Sequence, residues 1–505
     1  MSKQTLYEKL KEYGSGDIYP YHMPGHKRKR LTGAIKNIAD IDITEIYDFD
    51  NLSDPNGILK NAQDSLAEYL GVQKSYYLVN GSTVGVLAAI SAAVPKGGKL
   101  LISRNAHKST YNACLIRNIE PSYIYPYIIE GLNICEAVTA KQISHALESD
   151  KLSSKEKDNK TIDAVIIVSP TYEGRIADIK AIADVVHSYG IPLIVDEAHG
   201  AHLCFSDGIE GYSVSACKQG ADIVIQSLHK TIPSPTQTAV MHVNSKLIDA
   251  EIVEKYLHVY QTSSPSYVLM AAMEASINYM KEFGRDRLAF LQDRFSDLVD
   301  VINNTCIYIE ALPFIAGVHD PGKFVFSARK AGLTGKELTD ILRDDYHLEF
   351  EMSVREYVLA MFTVADDEEA YSRLKEALID IDKRISKSDS DIVLSNRGKI
   401  FDTEPETPSK NETGAQNICN GYEYYCMNEA VYPMSTAWEM KGEYILLQDA
   451  AGYCANDFIG LYPPGTPILV PGERITDRHI VDLQNYIECG YEVTGISDEK
   501  IKVII

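Results

Sequence analysis

The residues best equipped for chemistry sit at the end of an apolar run, VIQSLHKT at 224–231, which delivers Ser227, His229 and Lys230. In open α/β sheets, ligands bind beyond the carboxyl ends of the strands. A lysine placed there forms an imine with an aldehyde cofactor, provided burial and neighbouring cations lower its pKa. Alone, a lysine after a strand is more often a solvated loop residue. A second apolar run, IPLIVDEAHGAH at 191–202, ends in Asp196. A carboxylate emerging there is suited to the protonated ring nitrogen of pyridoxal phosphate, and that pair keeps the ring cationic so that it accepts electrons from a forming carbanion. The plainer reading of Asp196 is a helix N-cap.

Two further segments supply what such a cofactor needs. In NGSTVGVLAAI at 80–90 a strand runs into Gly81, Ser82 and Thr83, and an apolar helix follows. Free amides at a helix N-terminus beside two hydroxyls make a phosphate cradle, to which Ser227 and His229 can add contacts. An ordinary capped turn has the same sequence. In RNAHKS at 104–109, His107 follows the run KLLISR and is placed to lie against the ring and deliver a proton; a surface loop histidine is the alternative. His199 and His202 have a spacing that suits zinc. They lack the intervening Glu of the HExxH arrangement and an obvious third ligand, so no metal is expected.

The elements that must position these groups alternate. NAQDSLAEYLG reads as an amphipathic helix stopped by Gly71, and SYYLVN, KLLISR, AVIIVSP, IPLIVDEA and ADIVIQS read as short buried strands separated mostly by helices. Continuous apolar strands between helices predict an α/β fold with a mostly parallel sheet covered on both faces. Residues 1–40 read as an N-terminal arm, 41–290 as the cofactor-binding large domain, and 291–385 as a small α+β domain reached through two long helices. Polar residues 386–416 read as a linker and 417–505 as a C-terminal α+β domain. At 505 residues more than one core is required.

The formal charge of −22 argues against a phosphate-contacting nucleic-acid face and suits cationic ligands, although acidity also serves solubility alone. The longest apolar runs fall short of a membrane span, and the polar N-terminal residues do not read as a secretory signal, so a cytoplasmic protein is expected. The nine cysteines include no Cys-x-x-Cys pair and suggest neither a zinc knuckle nor a disulfide framework.

Taken in order, HMPGHK at 22–27, NGST, RNAHKS, PTYEG at 170–174, VDEAHGAH, SLHKT, TSSPSY at 262–267 and YPPGTPILVPGE at 462–473 resemble the bacterial ornithine/lysine/arginine decarboxylase family along nearly the whole chain. The resemblance implies the type I fold of pyridoxal-phosphate enzymes, with a seven-stranded sheet, and decarboxylation of a basic amino acid, arginine or lysine before ornithine. It implies that Lys230 is the Schiff-base lysine, that Asp196 meets the pyridine nitrogen and that His107 stacks on the ring. It implies further that Ser82, Thr83, Ser227 and His229 hold the phosphate, that Ala198 packs under the ring and that His199 lies near its oxygen side or the substrate. A homodimer or larger assembly is implied, with Thr262, Ser263 and Ser264 reaching a neighbouring cofactor. Large members carry an extra N-terminal receiver-like domain; with HMPGHK beginning at residue 22, the chain resembles the short form. Glu473 is the candidate for the substrate's distal cation, the alternative being a surface turn acid. Arg355 invites misreading as the carboxylate clamp of an aminotransferase, but the decarboxylase boxes outweigh it; an aminotransferase or β-eliminating lyase on the same fold is the competing reading. A catalytically silent homologue is another.

Overall fold

Five apolar runs expected as strands join one seven-stranded sheet, and two further strands, one interior and one at an edge, complete it. In spatial order the strands are Lys74–Leu78, Ala239–Val243, Ile223–Ser227, Leu193–Asp196, Ala164–Val168, Lys99–Ser103 and Glu120–Ile124. Ala239–Val243 runs antiparallel to both neighbours, and the remaining pairings are parallel. The computed structural model describes residues 49–157, 160–388, 428–462, 465–488 and 491–505, with positions 17, 19–21, 43 and 45. The HMPGHK box, most of the expected N-terminal arm, Pro463, Pro464 and residues 389–416 of the expected linker lie outside them.

The central strands are apolar throughout because both faces are buried. Val165, Ile167, Val195 and Val224 point into one core, while Ala164, Ile166, Ile194 and Ile225 point into the other. The second core is roofed by the helices Gly81–Ala93, Lys108–Arg117 and Ala250–Tyr260. Gly81 turns the chain with φ +75°, a conformation open mainly to glycine. Gly85 lets its helix touch the sheet: a Cβ there would lie 2.7 Å from Leu78 Cδ1 and 2.9 Å from Ile225 Cγ2.

The two helices expected over 266–300 are one helix, Tyr267–Thr305, so the expected boundary at 290/291 falls inside it. Its buried residues recur every three or four positions and change core along the way. Met270, Met273, Ile277 and Met280 pack on the large unit, whereas Leu291, Phe295, Leu298 and Ile302 pack on the small one. A helix that supplies buried residues to two cores gains from both by staying unbroken. The small unit has a four-stranded antiparallel sheet, Glu310–Ala311, Lys323–Ser327, Val358–Met361 and Met352–Ser353 in spatial order. It also has the helix Gly335–Tyr346, opened by a Thr334/Glu337 capping box, and the helix Glu368–Ser388. Tyr19–Tyr21 adds a short parallel pairing to Leu348–Phe350. The C-terminal unit closes its own core with Leu447, Ile459, Leu469, Leu483 and Val503. Among the described residues no helix is long and apolar enough to cross a membrane.

Overpacking the Gly85 contact is expected to destabilise the large unit. Gly85→Val should cost about 1–3 kcal/mol, seen as a lowered thermal midpoint, and an unchanged midpoint would contradict the close approach.

Candidate active site

Parallel neighbours in register bring the predicted chemistry to one sheet edge. Asp196 closes Leu193–Asp196 and lies opposite Val168 and Ile225. Two residues past Ile225 the next strand ends at Ser227, and the short helix Leu228–Thr231 carries Lys230 back over the edge. The result is a cavity lined by Lys230, Asp196, Ala198, His199, His107 and Ser82, with Asn105, Val168, Tyr172 and Thr466 completing the wall. Six residues named from the sequence thus share one cavity.

Desolvation governs their electrostatics. Burial pushes the Asp196 carboxyl up, opposed by the Lys230 charge and the Ala198 amide at 3.1 Å. Burial likewise pushes the Lys230 amine down, opposed by Asp196 and Glu351. His107 caps the helix Lys108–Arg117, its Nδ1 taking the Ser109 amide at 3.2 Å. In the neutral ring that bond leaves the proton on Nε2. Burial, aided by Lys230 and Lys108, lowers the His107 pKa to about 4, so the ring is neutral near pH 7. His199 Nε2 lies 2.9 Å from Lys230 Nζ, and its ring is 4.7 Å from that of Tyr172.

Other expected residues stand further out. Ser227 is fully buried, and its Oγ has no hydrogen-bond partner among the described residues. His229 meets the Thr238 carbonyl through Nδ1 at 3.1 Å, and Thr83 is exposed. Thr262, Ser263 and Ser264 are exposed in the single chain, with the Thr262 amide donating to Asn80 Oδ1 at 2.9 Å beside the Gly81 turn. His199 and His202 do not converge, because His202 pairs with Asp320 at 3.1 Å. Among the described residues the group with metal-ligand spacing is instead Cys204, Cys217 and His242, and His242 already meets Ser75 and Gln226 through its two nitrogens. Arg355 does not line the cavity; its carbonyl accepts the Gly335 amide.

Glu473 requires a correction. The expected ligand for a substrate cation is 2% exposed and serves the fold. Its Oε2 accepts from Arg104 Nη2 at 3.3 Å, Asn428 Nδ2 at 2.8 Å and the Val470 amide at 2.9 Å. Arg104, also fully buried, donates to the Pro467 and Ile468 carbonyls at 2.6 and 2.9 Å. This knot ties the C-terminal unit to the strand end that carries His107. The Lys108 amide then donates to the Gly465 carbonyl at 3.2 Å, and Thr466 reaches the cavity wall.

Sequence reasoning missed Tyr172, Lys323, Glu351 and Thr466. Tyr172 and Thr466 lie in quoted boxes, PTYEG and YPPGT, and went unassigned because their roles depend on contacts between distant segments. Lys323 opens the buried strand KFVFSA, and a lysine inside a buried run is itself a readable anomaly. Glu351 accepts from the Tyr172 hydroxyl, and its charge reaches Lys230 and Lys323.

The chain as a whole is similar to known decarboxylases. Residues 4–318 match the Orn/Lys/Arg decarboxylase major domain, and residues 425–494 match the C-terminal domain of the same enzymes. The chain belongs to the Orn/Lys/Arg decarboxylase family. Its reaction is therefore decarboxylation of a basic amino acid. An arginine decarboxylase of Bacillus subtilis (strain 168) is 30% identical over 99% of this chain and 96% of its own. Another, from Halalkalibacterium halodurans, is 29% identical over 100% of this chain and 98% of its own. Among solved structures, the constitutive lysine decarboxylase of E. coli superposes with a TM-score of 0.70 at 18% identity, over 90% of this chain and 73% of that one. The type I fold expected from the sequence is thereby confirmed.

Removing one partner of a buried ion pair strands the other charge, at about 3–5 kcal/mol. Glu473→Gln in this family member should therefore lower the thermal midpoint sharply and leave the preference among arginine, lysine and ornithine unchanged. A switched preference with unchanged stability would restore Glu473 to substrate recognition.

Proposed function

We propose that the protein decarboxylates L-arginine to agmatine, using pyridoxal phosphate held at Lys230. The observation that carries this reading is the meeting of Lys230 and Asp196 in one desolvated cavity. The residues around it fit the cofactor. Asp196 is a buried carboxylate suited to a cationic ring nitrogen. The helix Gly81–Ala93 has no side chain capping its first amides, which leaves Gly81, Ser82 and Thr83 to a phosphate. Ser227 Oγ lacks a partner among the described residues and is assigned with His229 to the same group. Ala198 would pack under the ring, His107 over it and His199 at its oxygen side. When bound, the cofactor supplies an aldehyde to Lys230 and a ring that accepts the electrons released with carbon dioxide.

The chain's own groups do the rest. Burial lowers the Lys230 amine pKa, which raises the share of the uncharged, nucleophilic form. Since the His107 pKa is about 4, that ring is a poor acid near neutral pH, and return of the proton to the substrate's Cα falls to Lys230. With Glu473 committed to Arg104, the distal guanidinium is assigned to Glu351, whose charge reaches Lys230 and whose carboxylate, oriented by the Tyr172 hydroxyl, attracts a cation. Arginine is favoured over lysine by the two arginine decarboxylases that match end to end. We place the enzyme in the cytoplasm as a homodimer or larger homo-oligomer, in which the exposed Thr262–Ser264 segment reaches the neighbouring site.

Incubation of the holoenzyme with arginine, lysine and ornithine together, followed by amine analysis, should yield agmatine and carbon dioxide, and Lys230→Ala should yield neither. A keto acid without carbon dioxide would establish an aminotransferase. A visible cofactor band near 420 nm (a value on the order of that usual for this chromophore) without turnover would establish a silent homologue. Glu351→Gln should raise KM for arginine about 10-fold or more, the worth of a charged hydrogen bond; an unchanged KM would remove Glu351 from recognition.

A further inference from the structure

Lys323 is fully buried at the start of a strand in the small unit, and nothing proposed so far uses it. Its Nζ lies 2.7 Å from His199 Nδ1, while Lys230 Nζ lies 2.9 Å from His199 Nε2. One imidazole therefore joins two amines. The arrangement is built: a Cβ at Gly174, where φ is +93°, would lie 2.6 Å from Lys323 Cβ, so the PTYEG turn clamps the lysine stem. Tyr172 of the same turn places its ring 5.5 Å from the Lys323 nitrogen.

The protons of this chain can be counted. A neutral imidazole has one N–H and one lone pair. If Lys323 is an ammonium donating to Nδ1, the ring proton is on Nε2 and points at the lone pair of an uncharged Lys230. If the ring is turned to its other tautomer, Lys230 donates and Lys323 is uncharged. With both hydrogen bonds made, the two lysines cannot both be ammonium ions. Burial and the flanking lysines push the His199 pKa well down, which keeps the ring neutral.

The groups facing Lys323 leave it to this role. Asp320 is engaged by His202 and by the Gly322 amide at 2.9 Å. Glu173 takes Tyr357 at 2.9 Å and Thr171 at 3.3 Å, and Glu351 takes Tyr172. These three acids favour the Lys323 cation, while burial and Lys230 oppose it, with the pKa lowered to about 8. Asp196 and Glu351 act likewise on Lys230, and His107 and His229, which also face His199, are kept neutral near pH 7 by burial, with pKa values of about 4.

We propose that Lys323 is a positioning residue for Lys230: acting through His199, it keeps the Lys230 nitrogen uncharged while the substrate is engaged and supplies the proton that Lys230 regains afterwards. The transfer balances. Lys323 gives a proton to Nδ1 as Nε2 gives its own to Lys230 Nζ, so the charge moves from Lys323 to Lys230 and the ring changes tautomer. The inference rests on the assignment of Lys230 as the cofactor lysine.

The test is a pH titration of the visible cofactor band in the wild-type, Lys323→Met and Lys323→Arg holoenzymes, beside pH profiles of kcat and KM. A unit charge one imidazole away, at an effective dielectric of about 20, is worth on the order of one pH unit. Lys323→Met should move the band midpoint up by about that much. It should also lower kcat about 10-fold or more with KM nearly unchanged, the scale of a lost proton donor. Lys323→Arg should restore the midpoint but not the whole of kcat, because guanidinium keeps the charge and yields no proton. A midpoint unmoved in Lys323→Met overturns the proposal; should that variant fail to fold, Lys323→Gln is read by the same criterion. A wild-type protein with no visible band overturns the assignment of Lys230 as well, which is a distinct outcome.

Discussion

The structure depends on keeping an amine and a carboxylate together out of water. Lys230 and Asp196 are each destabilised as charges by burial, and each is the other's compensation. Such a pair is tolerated in an interior only when its geometry is fixed and its surroundings supply further partners. The parallel sheet meets the first condition, because register sets Asp196 beside the strand whose end carries Lys230. The second is met by His199, the Ala198 amide and the acids around Glu351.

That requirement explains why three units cooperate at one edge. The large unit alone provides the strand ends and the helix N-terminus, but leaves the edge open. The C-terminal unit covers it by tying Arg104 to Glu473 and two carbonyls, which sets Thr466 against the cavity. The small unit covers it by bringing Lys323 to His199, and the unbroken helix Tyr267–Thr305 fixes that unit against the large core. The buried arginine and the buried lysine are expensive groups, each held at a place where a unit must be positioned against the cofactor edge.

Much of this was legible in the sequence because it is local. Apolar runs followed by Asp196 and Lys230 announce strand ends, and the Gly81 turn announces a helix N-terminus. Ala239–Val243 and Glu120–Ile124 were not anticipated. The first reverses direction, and the second is an edge strand with the pattern EPSYI, whose Glu and Pro blur the apolar signal. The long helix was read as two because Lys281–Arg287 is polar, although its apolar positions continue on both sides with helical spacing. Glu473 was misjudged for a different reason. A carboxylate near a glycine turn reads as exposed, and only the fold reveals that Arg104, distant in sequence, is its partner. Lys323 and Tyr172 needed the same long-range information.

The most direct test of the account is chemical. The holoprotein should be reduced with borohydride, digested and searched for the lysine that carries the cofactor. The account predicts a single pyridoxyl label on Lys230, with loss of the visible band in proportion to labelling. A label on Lys323 or any other lysine, or loss of the band without covalent attachment, would contradict it.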